Sequence, residues 1–322
     1  LTKMSINHPY HALRQIFALC NATRGKDGTE RDNRKNAGYA VDKQKIIAAR
    51  AVLDRIKQSD ERIHSICLQL QLMIDSYIQL AVLPVKKDGK DAVEPNMPRS
   101  VRELSSLNLV PILTENMEVD HTCKYSEGFF PHFSHFKNEI KLVGGINAPK
   151  LLTAIDINGE EHLQLAKSGH DDLRQDAVMQ QLFMFVNHLL KTCPSTRTRQ
   201  LRIKTYNVIP LTPAAGIVEW VKDSIPLMKY LVDGDRAHNG AHRRLRPDDW
   251  THHQCLSEMW NKTQKVESNV ATKRRVFAKI CENFKPVMHH FFLEYFLQAS
   301  EWFQRRLAYT RSVAVNSMVG YI

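Results

Sequence analysis

One lysine and three aspartates lie close together in EEHLQLAKSGHDDLRQDAVMQQLF, residues 160–183. Lys167 ends a run with strand-like alternation, and the helical segment that follows opens with Asp171, Asp172 and Asp176. Asp172 and Asp176 are four residues apart and would share one helix face. A strand lysine oriented by a helix carboxylate can hold nucleotide phosphates. The same spacing fits an acidic helix N-terminus beside a surface lysine, so spacing alone leaves both interpretations open.

Two further segments could complete a nucleotide site. GGINAPK, residues 144–150, ends a strand-like run at a point where a turn could cover phosphates. Its two glycines form neither a Walker A loop nor a GxGxxG motif, so this signal is weak. GIVEWV, residues 216–221, is an apolar strand whose backbone groups could bind an adenine edge beside an aromatic ring. Together the two segments favour a nucleotide site.

Hydrophobic periodicity predicts a helical array over residues 1–83. One helix starts near Pro9, a second covers about 41–57, and a long third helix follows. The third helix has a continuous apolar stripe that predicts burial: Ile63, Ile66, Cys67, Leu70, Ile74, Tyr77, Ile78 and Ala81.

The period changes to two after residues 84–101, which are rich in Pro, Lys and Asp and are interpreted as a linker. The strand-like runs predict a sheet of about five strands, with a two-residue hairpin turn at Asn158-Gly159. A single helix, about 171–191, interrupts the strands, and the chain is helical again from Pro226. This order predicts an α+β fold.

The net charge of +11 and the pI of about 9.3 are compatible with binding to nucleic acid or another polyanion. The basic residues are dispersed, however, with the densest runs at 197–204, 242–247 and 272–279. Such runs are more often solvated helix or loop faces, so a basic helical scaffold or DNA-binding module is an alternative interpretation.

The six cysteines contain no CxxC pair and predict reduced thiols in the cytosol or nucleus. The best metal candidate is His121 and Cys123 followed by His132 and His135, whose spacing matches no zinc module, and we predict no metal there. No run of eighteen uncharged apolar residues and no signal-peptide core is found, so no membrane association is predicted. The start at Leu1 suggests part of a longer protein.

Three segments resemble the phosphatidylinositol-kinase-like catalytic domain of the large protein kinases: LAKSGHDDLRQDAVMQQLF, YNVIPLTPAAGIVEWV and WFQRRLAYTRSVAVNSMVGYI. They are most similar to the ATM branch, and MSINHPYHALRQIFAL resembles the end of the helical FAT domain that precedes the kinase there. DLRQD alone would indicate only the superfamily, which includes lipid kinases. The combination with SINHP and RLAYTRS is more specific.

The resemblance implies a two-lobed, protein-kinase-like fold. It divides the chain into the end of a FAT domain (1–83), a linker with the start of the N-lobe (84–135), the N-lobe (136–221) and an incomplete helical C-lobe (222–322).

The resemblance also implies an ATP-binding set: Gly144, Gly145, Ala148, Pro149, Lys167, Asp171, Asp176, Tyr206, Glu219, Trp220 and Val221. Lys167 would bind the phosphates with Asp171 as its helix partner, and Asp176 would help to order them. The turn up to Pro149 would cover the phosphates. Tyr206 would line the inner adenine pocket, while residues 219–221 would form the hinge. The loop after Lys167 is one residue longer than is common in the family, which weakens the assignment of Asp171.

The family's GLGDRHxxN-like catalytic loop and DFG-like segment do not occur in these 322 residues. The catalytic base and the Mg²⁺ ligands are therefore expected outside them, after Ile322, and residues 1–322 alone are expected to be inactive.

The resemblance further implies ATP with Mg²⁺, protein substrates with Ser/Thr-Gln sites, and a nuclear role in the DNA-damage checkpoint and telomere maintenance. Implied partners are a nuclease complex that senses double-strand breaks, DNA ends bound through other regions, and a second copy in a homodimer. A lipid kinase of the same superfamily is the enzyme alternative.

Overall fold

The structure is a computed structural model of the chain. It describes residues 1–24, 43–88, 91–105, 107–126, 128–143, 148–169, 172–234, 239–263 and 270–320, with the backbone alone for 86–88 and 91–92. The chain divides into two compact units. The first unit consists of residues 1–197 and 203–222, and the second of residues 198–202 and 223–322.

Helices form the start of the first unit. They are α1 (Thr2–Asn7), α2 (Pro9–Cys20), α3 (Lys43–Lys57) and α4 (Glu61–Val82). Pro9 occupies the first turn of α2, where its missing N–H costs no hydrogen bond. The Asp60 carboxylate caps α4 by accepting a hydrogen bond from the Ile63 N–H at 2.9 Å. The predicted helices of this segment are confirmed, and α1 is an addition.

The segment predicted as a linker contains regular structure. Strands β1 (Lys86–Asp88) and β2 (Asp91–Val93) pair as an antiparallel hairpin, and a short helix, α5 (Arg99–Arg102), follows. The segment interpreted as a linker therefore includes two paired strands and a short helix.

The sheet of the first unit has seven antiparallel strands within the described residues, more than the five or so predicted. They are β3 (Leu107–Pro111), β4 (His132–Phe136), β5 (Lys141–Leu142), β6 (Lys150–Asp156), β7 (Glu161–Ser168), β8 (Val208–Thr212) and β9 (Ala215–Glu219). The order across the sheet is β3-β4-β6-β7-β9-β8, with β5 also paired to β6.

Strand β4 was missed because its sequence, HFSHF, does not alternate. Phe133 and Phe136 are both buried although they are three residues apart, because the register shifts between Phe133 and His135. An irregularity of this kind moves the later side chain to the other face of the strand. Period-two analysis therefore could not detect it.

The hairpin between β6 and β7 lies where it was predicted, but its turn is longer than two residues. Ile155 pairs with Glu161, and residues 156–160 form the connection. The Asp156 carboxylate accepts hydrogen bonds from the N–H groups of Asn158 at 2.8 Å and Glu160 at 3.0 Å. Gly159 has a φ of 80°, which glycine adopts without strain.

Helix α4 packs on one face of the sheet, against β3, β7 and β9. All residues of its predicted apolar stripe are buried, and Tyr77 has no exposed surface. α4 is long and apolar enough to cross a membrane by length and composition, and half of its apolar window is buried inside the protein. Its burial against the sheet is the pattern of a core helix. Residues of α2, α3, α4 and the sheet share one hydrophobic core.

Helix α6 (Leu173–Thr192) confirms the long helix that was predicted between the strands, although it is not the single one there, and it packs against β8. A short helix, α7 (Pro194–Thr198), follows it.

The second unit is helical in its described part, as predicted. It contains one π-helical turn (Lys229–Asp233) and the helices α8 (Ala241–Leu245), α9 (His252–Thr263), α10 (Val270–Asn283), α11 (His289–Tyr295) and α12 (Ala299–Val319). α11 is shorter than the apolar run 286–298 suggested.

Candidate functional site

The central strands of the sheet have one fully buried face. Strand pairing aligns Lys150 with Ala166 and Leu152 with Gln164, so these four side chains point to the same side. All four are buried. The Lys150 ammonium donates a hydrogen bond to the Ala81 carbonyl at the end of α4 at 2.8 Å, which identifies this side as the face that α4 covers. Burial lowers the pKa of Lys150.

The opposite side of these strands is only half-buried, and we call it the open face. Its half-buried members on β6, β7 and β9 include Leu151, Thr153, Leu163, Leu165, Lys167 and Val218. Lys167 therefore ends a mainly apolar stretch and is directed away from α4, and the exposed Lys141 and Glu161 lie on the same side. An apolar surface that ends in a cationic group suits a planar base joined to phosphates.

The start of α6 is held tightly against the strand beside Lys167. Lys167 pairs with Gly216 on β9. A Cβ atom at Gly216 would lie 2.6 Å from the Ile209 carbonyl oxygen and 2.8 Å from Leu173 Cδ1. Leu173 is the first residue of α6, so the missing side chain at Gly216 allows the helix to approach the strand. This contact places the acidic first turn of α6 near the end of β7.

The described carboxylates of this turn have different surroundings. Asp172 is the N-cap of α6 and accepts a hydrogen bond from the Arg174 N–H at 3.0 Å. Its carboxylate also pairs with the Arg174 guanidinium, with 2.7 Å between Oδ2 and Nη2. The hydrogen bond from the Arg174 side chain holds the pKa of Asp172 below its usual range. Asp176 is exposed one turn later, and Asp171 lies outside the described residues.

The predicted phosphate-covering turn joins β5 to β6. Leu142 pairs with Lys150, and the Val143 N–H donates to the Pro149 carbonyl at 2.9 Å. Ala148 has a φ of 38°, in the left-handed region. Gly144 and Gly145 lie outside the described residues. The described ends of the turn meet beside β6, next to the strand that carries Lys167.

The predicted hinge, residues 219–221, continues from the end of β9. The Trp220 N–H donates to the Leu163 carbonyl at 3.0 Å, which extends the pairing with β7. The Glu219 N–H donates to the Asn207 carbonyl at 2.8 Å, and the Asn207 N–H donates to Glu219 Oε2 at 2.8 Å. Trp220 and Val221 are half-buried. These bonds fix the hinge against the segment before β8.

Tyr206 immediately precedes Asn207 and is half-buried. Its N–H donates to Gln180 Oε1 on α6 at 3.2 Å. Tyr206 and the hinge are therefore brought together through Asn207, as the predicted adenine pocket requires. The roles of both remain predictions.

Three polar residues that support the hinge were not predicted from the sequence: Thr114, Gln164 and Asn207. The Asn207 side chain donates to the Thr114 carbonyl at 2.8 Å and to Asn116 Oδ1 at 3.0 Å. Gln164 lies directly opposite Glu219 in the strand pairing. The sequence contains one signal for Gln164, which lies between two leucines of a strand-like run. An amide at such a position is unusual in a protein core.

The candidate metal ligands His121, Cys123, His132 and His135 do not gather into a site. Cys123 Sγ lies 3.6 Å from His8 Nε2, while His132 and His135 belong to β4.

Within the described residues, three possible ligand atoms come within 4.8 Å of one another at Asp156, Glu160 and His162. His162 is already paired with Glu115 at 2.7 Å and Asp156 at 3.3 Å. It lies five positions before Lys167, about 16 Å along a strand and on the other face. This cluster therefore does not fit a metal ion bridging phosphates held by Lys167.

The family model of phosphatidylinositol 3- and 4-kinase matches residues 162–322. The chain belongs to this family. The match includes Lys167, α6 and the hinge, so the whole described part of the open face on β7 and β9 lies within the kinase domain. The resemblance stated from the sequence motifs is confirmed at the level of the family.

Relatives extend the similarity to the entire chain. The serine/threonine-protein kinase ATM of Arabidopsis thaliana is 42% identical over 323 residues, and the serine-protein kinase ATM of Sus scrofa is 36% identical over 333, each covering 100% of this chain. The serine/threonine-protein kinase tel1 of Schizosaccharomyces pombe is 33% identical over 98% of it. This chain spans only 8% of the length of the Arabidopsis protein and 10% of the other two.

Solved structures give the same result for the fold. The open conformation of CtTel1 has a TM-score of 0.79 at 33% identity and covers 99% of this chain and 11% of its own. The FAT and kinase domain of CtTel1 has a TM-score of 0.76 at 31% identity, covering 99% of this chain and 21% of its own. The kinase-like fold predicted from the sequence is confirmed, including the helices before the sheet. The individual domain boundaries stay predictions.

Proposed function

We propose that this chain is the nucleotide-binding part of an ATM-type serine/threonine protein kinase, which transfers the γ-phosphate of ATP to serine or threonine. The observation that carries the proposal is the open face, where Lys167 stands at the end of an apolar surface beside the first turn of α6. Family membership and the protein-kinase names of the relatives support the same activity.

In this proposal the adenine lies on the leucines of the open face and forms hydrogen bonds with the backbone of Glu219 and Val221. Trp220 and Tyr206 flank the base. The side chain of Lys167 reaches the phosphates, oriented by Asp171 and with Asp176 one turn further along the helix. The turn that contains Gly144, Gly145, Ala148 and Pro149 covers the phosphates.

Catalysis requires groups that these residues do not supply. A base for the attacking hydroxyl and ligands for Mg²⁺ would come from outside residues 1–322, since the family's catalytic-loop and DFG-like motifs do not occur in them. Positioning and charge stabilisation by such groups provide most phosphoryl-transfer catalysis. We therefore propose that residues 1–322 alone bind nucleotide without transferring phosphate above background.

The finer assignment follows the ATM and tel1 relatives. We propose Ser/Thr-Gln sites in protein substrates, a nuclear location, and roles in the double-strand-break checkpoint and telomere maintenance. A nuclease complex and DNA ends would act through other regions. A C2-symmetric CtTel1 dimer, with a TM-score of 0.76 and 31% identity to this chain, supports a homodimer.

The test compares Lys167→Met with Lys137→Met in the full-length protein. Lys137 is a matched control, because it is a half-exposed lysine of the same sheet region that pairs with Glu161 at 2.6 Å. We expect Lys167→Met to lose about a hundredfold or more in kcat/KM with Mg²⁺-ATP, with an unchanged thermal unfolding midpoint. Lys137→Met should behave as wild type.

The substrates are a Ser-Gln peptide, the same peptide with Gln replaced by Ala, and phosphatidylinositol vesicles. Transfer to the first substrate alone supports the proposal. Full activity of a correctly folded Lys167→Met variant would overturn the site, and preferential transfer to the vesicles would establish the lipid-kinase alternative.

A further inference from the structure

A buried hydrogen-bonded pair links α4 to the sheet. The Tyr77 hydroxyl donates to Gln164 Oε1 at 2.5 Å, and Gln164 Nε2 donates to Thr114 Oγ1 at 2.7 Å. Tyr77 and Gln164 have no exposed surface, and Thr114 is 5% exposed. Burial also raises the pKa of Tyr77, so its hydroxyl stays protonated and available as a donor.

Gln164 is bonded through both ends of its amide. Its oxygen accepts from the Tyr77 hydroxyl and its NH₂ group donates to the Thr114 hydroxyl, so moving either neighbour away leaves a buried polar group without its partner. A buried polar group left without its partner costs about 1–3 kcal/mol. This network therefore favours one arrangement of helix and strand.

The same network continues to the hinge. The Thr114 carbonyl accepts a hydrogen bond from the Asn207 side chain at 2.8 Å, and the Asn207 backbone exchanges two bonds of 2.8 Å with Glu219. Gln164 is also the direct strand partner of Glu219. Tyr77 is thus connected through Gln164 to Glu219, the residue whose carbonyl is proposed to bind adenine. One connection is the strand pairing of Gln164 with Glu219, and the other is the set of hydrogen bonds through Thr114 and Asn207. We call Tyr77, Gln164, Thr114, Asn207 and Glu219 the hinge relay.

We propose that Tyr77, Gln164 and Thr114 are positioning residues, through which the helical segment before the kinase domain sets the geometry of the adenine-binding hinge. This inference rests on the proposed function. Helix α4 is joined to the sheet at a second point by the hydrogen bond from Lys150 to the Ala81 carbonyl. A displacement of α4 therefore displaces Gln164 and Thr114, and with them the backbone groups of Glu219. Nucleotide affinity is the property that this coupling controls.

The decisive variant is Tyr77→Phe in the full-length protein, because it removes one hydroxyl and retains the ring. We expect KM for ATP to rise about fivefold and kcat at saturating ATP to stay within about twofold, since only binding of the base is altered. The control is Tyr10→Phe, another buried tyrosine of the helical array that lies outside the hinge relay. If the Tyr77 hydroxyl had a purely structural role, Tyr77→Phe and Tyr10→Phe would both have a lower unfolding midpoint and an unchanged KM for ATP. That outcome would overturn the coupling.

Substitutions of Thr114 test the same proposal independently, in case Tyr77→Phe does not fold. Thr114→Val removes the hydroxyl that accepts from Gln164 but retains the backbone carbonyl, while Thr114→Ser keeps the hydroxyl. We expect a raised KM for ATP in Thr114→Val and recovery in Thr114→Ser. Equal KM values in the two would refute the role of the hydroxyl.

A double-mutant cycle then separates the inference from the proposed function. Tyr77→Phe combined with Glu219→Gln should change ATP affinity by less than the product of the single effects, because both act on one relay. Strict additivity contradicts the coupling while leaving the nucleotide site intact. Absence of Lys167-dependent ATP binding in the wild type would instead reject the proposed function, and the coupling with it.

Discussion

Replacing Gly216 by alanine tests the contact that places α6 beside Lys167. The added Cβ would lie 2.6 Å from the Ile209 oxygen and 2.8 Å from Leu173 Cδ1, where ordinary contact begins at 3.4 Å. The Leu173 side chain can rotate, but the Ile209 oxygen belongs to the backbone of β8. The strand must therefore move by several tenths of an ångström. Overpacking of this kind costs about 1–3 kcal/mol.

For a domain of about 150–250 residues, about 2 kcal/mol corresponds to a loss of roughly 4–8 °C in the unfolding midpoint. The shift should be measured by thermal unfolding, and ATP affinity by titration of the same samples. We expect affinity to fall as well, because the displaced groups flank Lys167. Gly159→Ala is the control, since its Cβ would meet nothing within 4 Å. With φ at 80° it carries backbone strain alone and should leave ATP affinity unchanged.

Leu173→Ala separates the two clashes. In the double variant Gly216→Ala/Leu173→Ala, the clash with the Leu173 side chain is removed and the clash with the Ile209 oxygen persists. We therefore expect the double variant to recover part of the unfolding midpoint that Gly216→Ala loses. An unfolding midpoint of Gly216→Ala equal to that of wild type would refute the reasoning. So would an equal loss of ATP affinity in Gly159→Ala, because strain alone would then explain the effect.

Three further outcomes are expected. Tyr206→Ala should weaken ATP binding more than Glu219→Gln does, because the glutamine side chain retains an oxygen that can accept a hydrogen bond from Asn207. The reverse ranking in a nucleotide competition assay would contradict the proposed pocket. Asp172 has a folded-state pKa below its unfolded value, so its contribution to stability is present above about pH 4 and is lost as the pH falls further. Asp172→Asn should accordingly flatten the acid limb of a stability-versus-pH curve, and an unchanged limb would refute this. Hydrogen bonds from neighbouring hydroxyl and backbone groups lower the pKa of the exposed Cys193 thiol to about 7. The rate of its alkylation, followed by mass spectrometry, should therefore reach half its maximum near that pH. A half-maximum one or two pH units higher would contradict this.

The sequence predicted most helices and strands because their signals are local. The stripe of α4 repeats at helical spacing over about five turns, and each of its members is buried. The Asn158-Gly159 pair located a hairpin correctly, although the Asp156 side chain stabilises a longer turn. Where the backbone departs from regular alternation, as at Phe133 and Phe136 in β4, the same rules failed.

The faces of β7 show why the site was harder to predict than the strand. Alternation in EHLQLAK places Leu163 and Leu165 on one side and Gln164 on the other, and apolar residues normally face the core. In the structure Gln164 is fully buried while both leucines are half-buried on the open face. The inversion is possible because Tyr77, 87 positions away, satisfies the amide. No local pattern contains such a partner.

The burial of polar residues on the side of the sheet that faces α4 also explains why the helical array packs there. A sheet whose buried side contains Lys150, Gln164 and His162 cannot expose that side to solvent without also exposing Leu152 and Ala154. Nor can it bury these polar groups without specific partners. Helix α4 supplies an apolar stripe for the aliphatic residues, the Tyr77 hydroxyl for Gln164 and the Ala81 carbonyl for Lys150. His162 is paired instead with Glu115 and Asp156. Residues of α2, α3 and α4 thus share one hydrophobic core with the sheet, and the open face is the side of β6, β7 and β9 that α4 does not cover.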